Sequence, residues 1–218
     1  MRDSAASESG MTILEVMVVV GIIGVLSAMA VPNVRAWLVD QRLKTSARMV
    51  ADAMNLARGE AIRTGNNHIV FLGSDIDGLP LLSNDGNPQV KVLDDGAPAT
   101  ADCAIGAGEP QRDFRVETDV ALGVVSATAA HPLDTGDGTY SDGFTFVQPS
   151  AGSPEATWVL FGPDGIPVGL TDTCVRGTTG SGGGAVYLQN GRREFAIVLT
   201  PLGGARVSGW EAGEGAWD

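Results

Sequence analysis

The sequence predicts an α+β protein in which a long N-terminal helix packs against a C-terminal antiparallel β-domain. Three observations carry that expectation. Residues 11–31 form an apolar run interrupted only by Thr12, Glu15 and Ser27. Leu43, Ala47, Val50, Met54, Ala57 and Ala61 then recur at alternating steps of four and three, the spacing of one face of a helix. Beyond residue 64 the apolar runs shorten to strand length and are bounded by Gly, Pro, Asn or Asp.

Composition limits the classes of function. Of 218 residues 44% are hydrophobic and 18% charged, enough apolar surface to form a core and too much for a disordered chain. The net charge of −12 is unevenly placed: residues 1–10 carry −1, residues 11–64 carry +2 and residues 65–218 carry −13. An acidic domain of that kind repels phosphate backbones and anionic lipid surfaces, so general attraction to either is not expected.

The front segment is long enough to cross a bilayer, since 21 residues at about 1.5 Å each reach about 30 Å, the thickness of the hydrocarbon core. Three readings of it compete. A cleavable secretory signal fits Ala28-Met29-Ala30, which has the small-x-small form of a cleavage site, and would release a soluble β-domain after Ala30. Against it, residues 1–10 set Arg2 against Asp3 and Glu8, and Glu15 stands inside the apolar region. A plain transmembrane anchor leaves Glu15 as an unexplained charge costing up to about 3 kcal/mol.

The third reading gives Glu15 a role. Gly10-Met11-Thr12-Ile13-Leu14-Glu15 resembles the prepilin cleavage and methylation motif of type IV pilins and type II secretion pseudopilins, a polar leader ending in Gly followed by an apolar segment with Glu as its fifth residue. The resemblance implies that prepilin peptidase cuts between Gly10 and Met11 and N-methylates Met11, which stands where the family usually has Phe. It also implies that in a filament the α-amino group of Met11 in one subunit lies near Glu15 of another. Burying either charge alone is severely unfavourable, whereas pairing offsets most of that cost and fixes the axial register. The alternative for Glu15 is a place in the headgroup zone.

Pro32 lacks a backbone donor and crowds the preceding turn, so a bend or local melting of the helix is expected there. Gly21 and Gly24 read as points of close approach between helices in lipid. From Asn33 to Arg63 no proline intervenes, and Arg35, Asp40, Gln41, Lys44, Asp52 and Glu60 stand opposite the apolar stripe as a solvated face. The stripe requires a cover, from the later strands or from a second helix in a coiled coil; its alanines suit a closely packed sheet better. Thr64-Gly65-Asn66-Asn67 supplies the turn that ends the helix.

Strands are expected at residues 68–72, 89–93, 144–147, 157–161, 185–188, 194–199 and 205–208, with Asn190-Gly191 as a tight hairpin. Thr157–Gly165, a glycine-rich loop, Tyr187-Leu-Gln-Asn-Gly191 and Ala196–Gly203 are together similar to the β-domain of the GspH/FimT group of minor pseudopilins. With the N-terminal motif, the likeness covers most of residues 10–210, and for the acidic stretches around 74–112 and 130–143 it implies nothing. The type IV pilin-like organisation it implies is a leader at 1–10, a transmembrane and assembly helix at 11–31, an amphipathic helix packing on the sheet at 32–64, and an acidic glycine-rich β-domain at 65–218. The implied function is a structural subunit of a type IV pilus or a type II secretion pseudopilus. Implied partners are prepilin peptidase, other pilins or pseudopilins, an inner-membrane assembly platform, and membrane lipid around the N-terminal helix. The implied location is the bacterial inner membrane, single-pass, with the domain in the periplasm or on an extracellular filament.

Other sites are weaker. Some members of the group bind DNA in natural transformation through a Gly-Arg-x-Arg motif; here Gly203-Gly204-Ala205-Arg206 lacks the first arginine. Arg206 with Arg192 and Arg193 makes three basic residues in a strongly acidic domain, short of the basic stripe that phosphate neutralisation needs. Nucleic acid is therefore not expected as a partner. Cys103 and Cys174 are the only cysteines, and in an exported domain the sequence leaves both a disulfide and two free thiols open, because it does not give their Cα separation. The clusters Asp75/Asp77, Asp94/Asp95 and Asp134/Asp137/Asp142 carry oxygen ligands of the kind calcium takes, but none completes a calcium loop, so no metal is expected. With His68 and His131 as the only histidines and no nucleophile, zinc-protease or phosphate-loop motif, neither an enzyme nor a cofactor is expected.

Overall fold

A computed structural model describes residues 11–73, 89–103, 108–147, 156–171 and 174–218; Gly10 and the Asp75/Asp77 pair lie outside them. The protein is α+β, one long helix and two antiparallel sheets. Helix α1 is Ile13–Thr64. Thr12 begins it, its hydroxyl accepting the Glu15 N–H at 3.2 Å, which satisfies one of the donors that a helix start leaves over. Gly65 ends it at φ +75°, a left-handed conformation that glycine adopts without steric cost, with its N–H on the Ala61 carbonyl at 3.0 Å. The helix is continuous through position 32, so the local melting expected of Pro32 does not occur.

The chain divides into two compact units between Leu38 and Val39, inside the 32–64 segment that the sequence treats as one. In the front unit every residue from Met11 to Val31 is exposed, Ile13 by 82% and Leu26 by 61%. Among the described residues of that unit none covers its apolar surface.

The second unit holds the rest of α1 and the strands β1 (His68–Leu72), β2 (Gln89–Asp94), β3 (Gln111–Arg115), β4 (Ala121–Leu122), β5 (Trp158–Phe161), β6 (Pro167–Val168), β7 (Gly184–Gln189), β8 (Glu194–Leu199), β9 (Ala205–Glu211) and β10 (Ala216–Trp217). One sheet runs β3-β2-β1-β5-β6 and the other β10-β9-β8-β7-β4. The helix stripe is buried without remainder: Leu43, Ala47, Met54, Ala57 and Ala61 have no exposure and Val50 has 1%. It shares one core with alternate residues of both sheets, Val70, Val92 and Phe161 from the first and Val186, Leu188 and Ile197 from the second. The intervening residues fall on the opposite faces because side chains alternate along a strand. Ile69, Phe71, Leu93 and Leu160 make a second cluster behind the first sheet, and Ala185, Tyr187, Ala196 and Val198 a third behind the second. Strands β1, β5, β7 and β8 are therefore buried on both faces, which is why they read as nearly unbroken apolar runs.

Several expectations change. Residues 144–147 hold isolated bridges and not a continuous strand: Phe144 bridges Val186, and Thr145 donates its backbone N–H to the Ala185 carbonyl at 3.1 Å while its own carbonyl accepts the Gly138 N–H and its hydroxyl bonds Asp134 Oδ1 at 2.7 Å. Strands β3, β4, β6 and β10 were not expected. The residues of β3, Gln-Arg-Asp-Phe-Arg, are mostly exposed, as suits the charged edge of a sheet that discourages pairing with other chains. Asp40, expected on the solvated face, is half-buried and accepts the Asn190 side-chain N–H at 2.9 Å. Asn190-Gly191 forms the hairpin foreseen, with Gly191 at φ +79° and the Asn190 N–H on the Arg193 carbonyl at 3.1 Å.

Two outcomes follow from this division. Met54→Ala, which empties space at the centre of the shared core, is expected to cost about 2–5 kcal/mol in denaturant unfolding. Trp37→Ala, at a residue 58% exposed in the front unit, is expected to leave the same transition within about 0.5 kcal/mol.

Candidate functional site

The N-terminal helix is the first candidate. Its residues from 11 to 31 are apolar on all sides and exposed on all sides, a pattern that suits lipid or neighbouring helices and not water. Among the described residues one helix, Ile13–Thr64, is long and apolar enough to cross a membrane. Glu15 is the single ionisable group between Met11 and Val34. It lies in the first turn of α1, where a negative charge is favoured by the helix dipole, and its backbone is held by Thr12. This Thr-x-x-Glu capping spacing is a local reason for a Glu at position 15 that the sequence reading did not weigh. At Gly21 and Gly24 an added Cβ would meet nothing within 4 Å, so in the single chain these positions stand open to an approaching helix.

The three arginines do not converge. Arg193 reaches back to Asp40, Nε to Oδ2 at 3.6 Å, while the backbone N–H groups of Arg192 and Arg193 are held by Asn190 Oδ1 at 3.0 and 2.8 Å. Arg206 pairs in register with Val198, five residues along β8 from Arg193 and so roughly 17 Å away.

Both cysteines are joined, with Cα atoms 5.6 Å apart, so the structure selects the disulfide. Cys103 packs on the apolar cluster behind the first sheet. The bond closes a separation of 71 residues and holds the 95–103 loop as a cover there.

Among the described residues, three clusters of buried or half-buried polar groups stand within the domain. Behind the second sheet the Tyr187 hydroxyl donates to Asp134 Oδ2 at 2.8 Å and accepts the His131 N–H at 2.9 Å. His131 Nδ1 accepts the Leu133 N–H at 3.0 Å, which places the ring proton on Nε2, 3.0 Å from Ser208 Oγ. A histidine donating to a serine cannot remove its proton, so this pair lacks the arrangement of a nucleophile and its base. Burial, and secondarily Asp134, raise the Tyr187 phenol well above its ordinary value. Glu194, 2% exposed, is fully used: its carboxylate accepts the Val125 and Ser126 N–H groups and the Ser126 hydroxyl. The third cluster lies at the end of β2, where Asp94 and Asp95 diverge. Asp94 accepts the Asn66 side-chain N–H at 2.9 Å and lies 3.8 Å from His68 Nε2. Asp95 turns inward and is 1% exposed. A cleft of about 210 Å³ beside Glu60, Arg63, His68, Asp94 and Arg112 has its charges already engaged in part, Arg63 with Glu60 and His68 near Asp94.

These features define a class: an α+β protein with a membrane-competent apolar helix that carries one carboxylate, and a disulfide-bonded two-sheet domain. No protein-family model, curated protein or solved structure matches the chain.

Replacing both cysteines with serine is expected to lower stability by about 2–4 kcal/mol in urea, the usual effect of releasing a long closed loop. His131 gives a pH dependence. Burial, the largest cause, holds it below its ordinary value of 6.5; Asp134 and Asp218 pull it upward and Arg206 downward. The unfolded chain therefore takes up a proton that the folded domain refuses, so the stabilisation is complete above about pH 6.5 and is lost as pH falls below it. Asp95, raised to about 6, acts in the opposite sense. The informative readout is thus the difference in thermal midpoint between the wild type and His131→Asn, which is expected to shrink from about pH 8 to about pH 5.5.

Proposed function

We propose that the chain is a GspH/FimT-like minor pilin or pseudopilin, a structural subunit of a type IV pilus or type II secretion pseudopilus. The observation that carries this reading is the apolar segment from Met11 to Val31, exposed throughout among the described residues and bearing one carboxylate at position 15. Such a surface requires either lipid or other helices. The motif around Gly10 supplies both in turn: a precursor held in the inner membrane, cut between Gly10 and Met11 by prepilin peptidase, then drawn into a filament where Gly21 and Gly24 admit neighbouring helices.

In this account Glu15 pairs with the α-amino group of Met11 in the adjacent subunit. The medium is apolar, so an unmatched carboxylate there is destabilising by several kcal/mol, and a subunit out of register by one step leaves both charges unmatched. The acidic domain takes no part in that packing. It presents its loops at the filament surface or tip.

Glu15 has two explanations, register pairing and helix capping, and two substitutions separate them. Glutamine serves a capping box as well as glutamate but carries no charge. Glu15→Gln is therefore expected to insert in the membrane normally yet to reduce incorporation into the assembled filament by about 100-fold, read by shearing and quantifying the subunit, with Glu15→Ala no better. Normal incorporation of Glu15→Gln would remove the register role.

A further inference from the structure

Asp95 is held in an arrangement that the hydrogen bonds around it do not complete. Its Oδ1 accepts two backbone N–H groups, from Asp102 at 3.2 Å and Cys103 at 2.9 Å. Its Oδ2 is sealed from solvent and has no hydrogen-bond partner among the described residues. A buried carboxylate oxygen left so is costly, and proteins normally match such an atom with a donor, a water or a cation.

The surroundings select among those. One carboxylate oxygen from each of Asp95, Asp102 and Glu109 lies within 4.8 Å of those of the other two. That limit is about twice the 2.3–2.6 Å at which calcium binds oxygen, so three such atoms fit one coordination sphere. Burial foremost, and then the negative charges of Asp102 and Glu109, push its carboxyl up to about 6. The stretches of chain outside the described residues carry no lysine, and no arginine other than Arg2, so they supply no side-chain counter-charge from within the domain. Cys103 and Cys174 also lie beside Asp95, but their sulfurs are bonded to each other and are not thiolate ligands. The donors are thus hard oxygens, which suit calcium and not a thiophilic metal.

We propose that Asp95, Asp102 and Glu109 form a calcium site beside the Cys103–Cys174 disulfide. Calcium tolerates an irregular set of six to eight oxygens, so these carboxylates supply part of the sphere and water the remainder. Magnesium demands a near-ideal octahedron at shorter distances and fits this spread less well. The site does not depend on the assembly reading, since it would serve a released domain equally.

The test uses the full chain in detergent, stripped with a chelator and then titrated with calcium chloride. Calorimetry is expected to give one binding event, and the thermal midpoint is expected to rise with calcium and to return on chelation. Asp95→Asn, Asp102→Asn and Glu109→Gln are each expected to weaken calcium binding at least about tenfold. Because a variant's own stability can shift for other reasons, the readout is the difference with and without calcium for each protein. Absence of binding by the wild type, an equal response to magnesium, or undiminished calcium binding by all three variants would each overturn the proposal.

Discussion

The stripe of Leu43, Ala47, Val50, Met54, Ala57 and Ala61 on α1 is the surface on which the rest of the domain depends. Both sheets close against it, and three of its six residues are alanine, small enough for strand side chains such as Phe161 and Ile197 to come down onto the helix. A large side chain at Ala57 would force the sheets off the helix, and a cavity at Met54 would loosen both at once. Further toward the N-terminus, from Ile13 to Val31, the described residues of the same helix are exposed on every face. The sequence marks the change in composition: small and apolar residues on one face in the second half, apolar residues on every face in the first.

A second constraint follows from the first. With one face of each sheet given to the helix core, the other face is also apolar and also requires cover. Behind the first sheet the cover comes from the 95–103 loop and the disulfide; behind the second it comes from residues 124–140 and Trp217, whose indole N–H donates to the Ala129 carbonyl at 3.0 Å. These are the acidic stretches to which the family likeness assigns nothing. Their aspartates are not all solvated: Asp134 ties Tyr187, Thr145 and the Gly136 N–H, and Asp95 gathers the backbone of Asp102 and Cys103.

Much of this was legible from residue pattern. The helix stripe followed from its period, and the bounds of β1 and β8 from apolar runs between turn residues, because burial on both faces leaves a strong signal. The short strands did not. β3 is polar because it is an edge, and β4, β6 and β10 are two residues each, below the length at which alternation can be read. Phe144–Val147 has strand composition, yet its backbone bonds are divided among Ala185, Gly138 and Ala156, tertiary contacts that local sequence does not express. Among the site residues, Glu15 and the cysteines stood out by rarity. The divergence of Asp94 and Asp95 onto different partners was invisible, since two adjacent aspartates in a turn look alike until the strand end gives them opposite directions.

The account's central claim is that the apolar helix is an assembly element retained in the mature protein. Mass spectrometry of the protein purified from membranes of a cell with prepilin peptidase tests it most directly. The account predicts a chain beginning at Met11 and carrying one methyl group on its α-amino nitrogen; a chain beginning at Val31, free of the membrane, would contradict it.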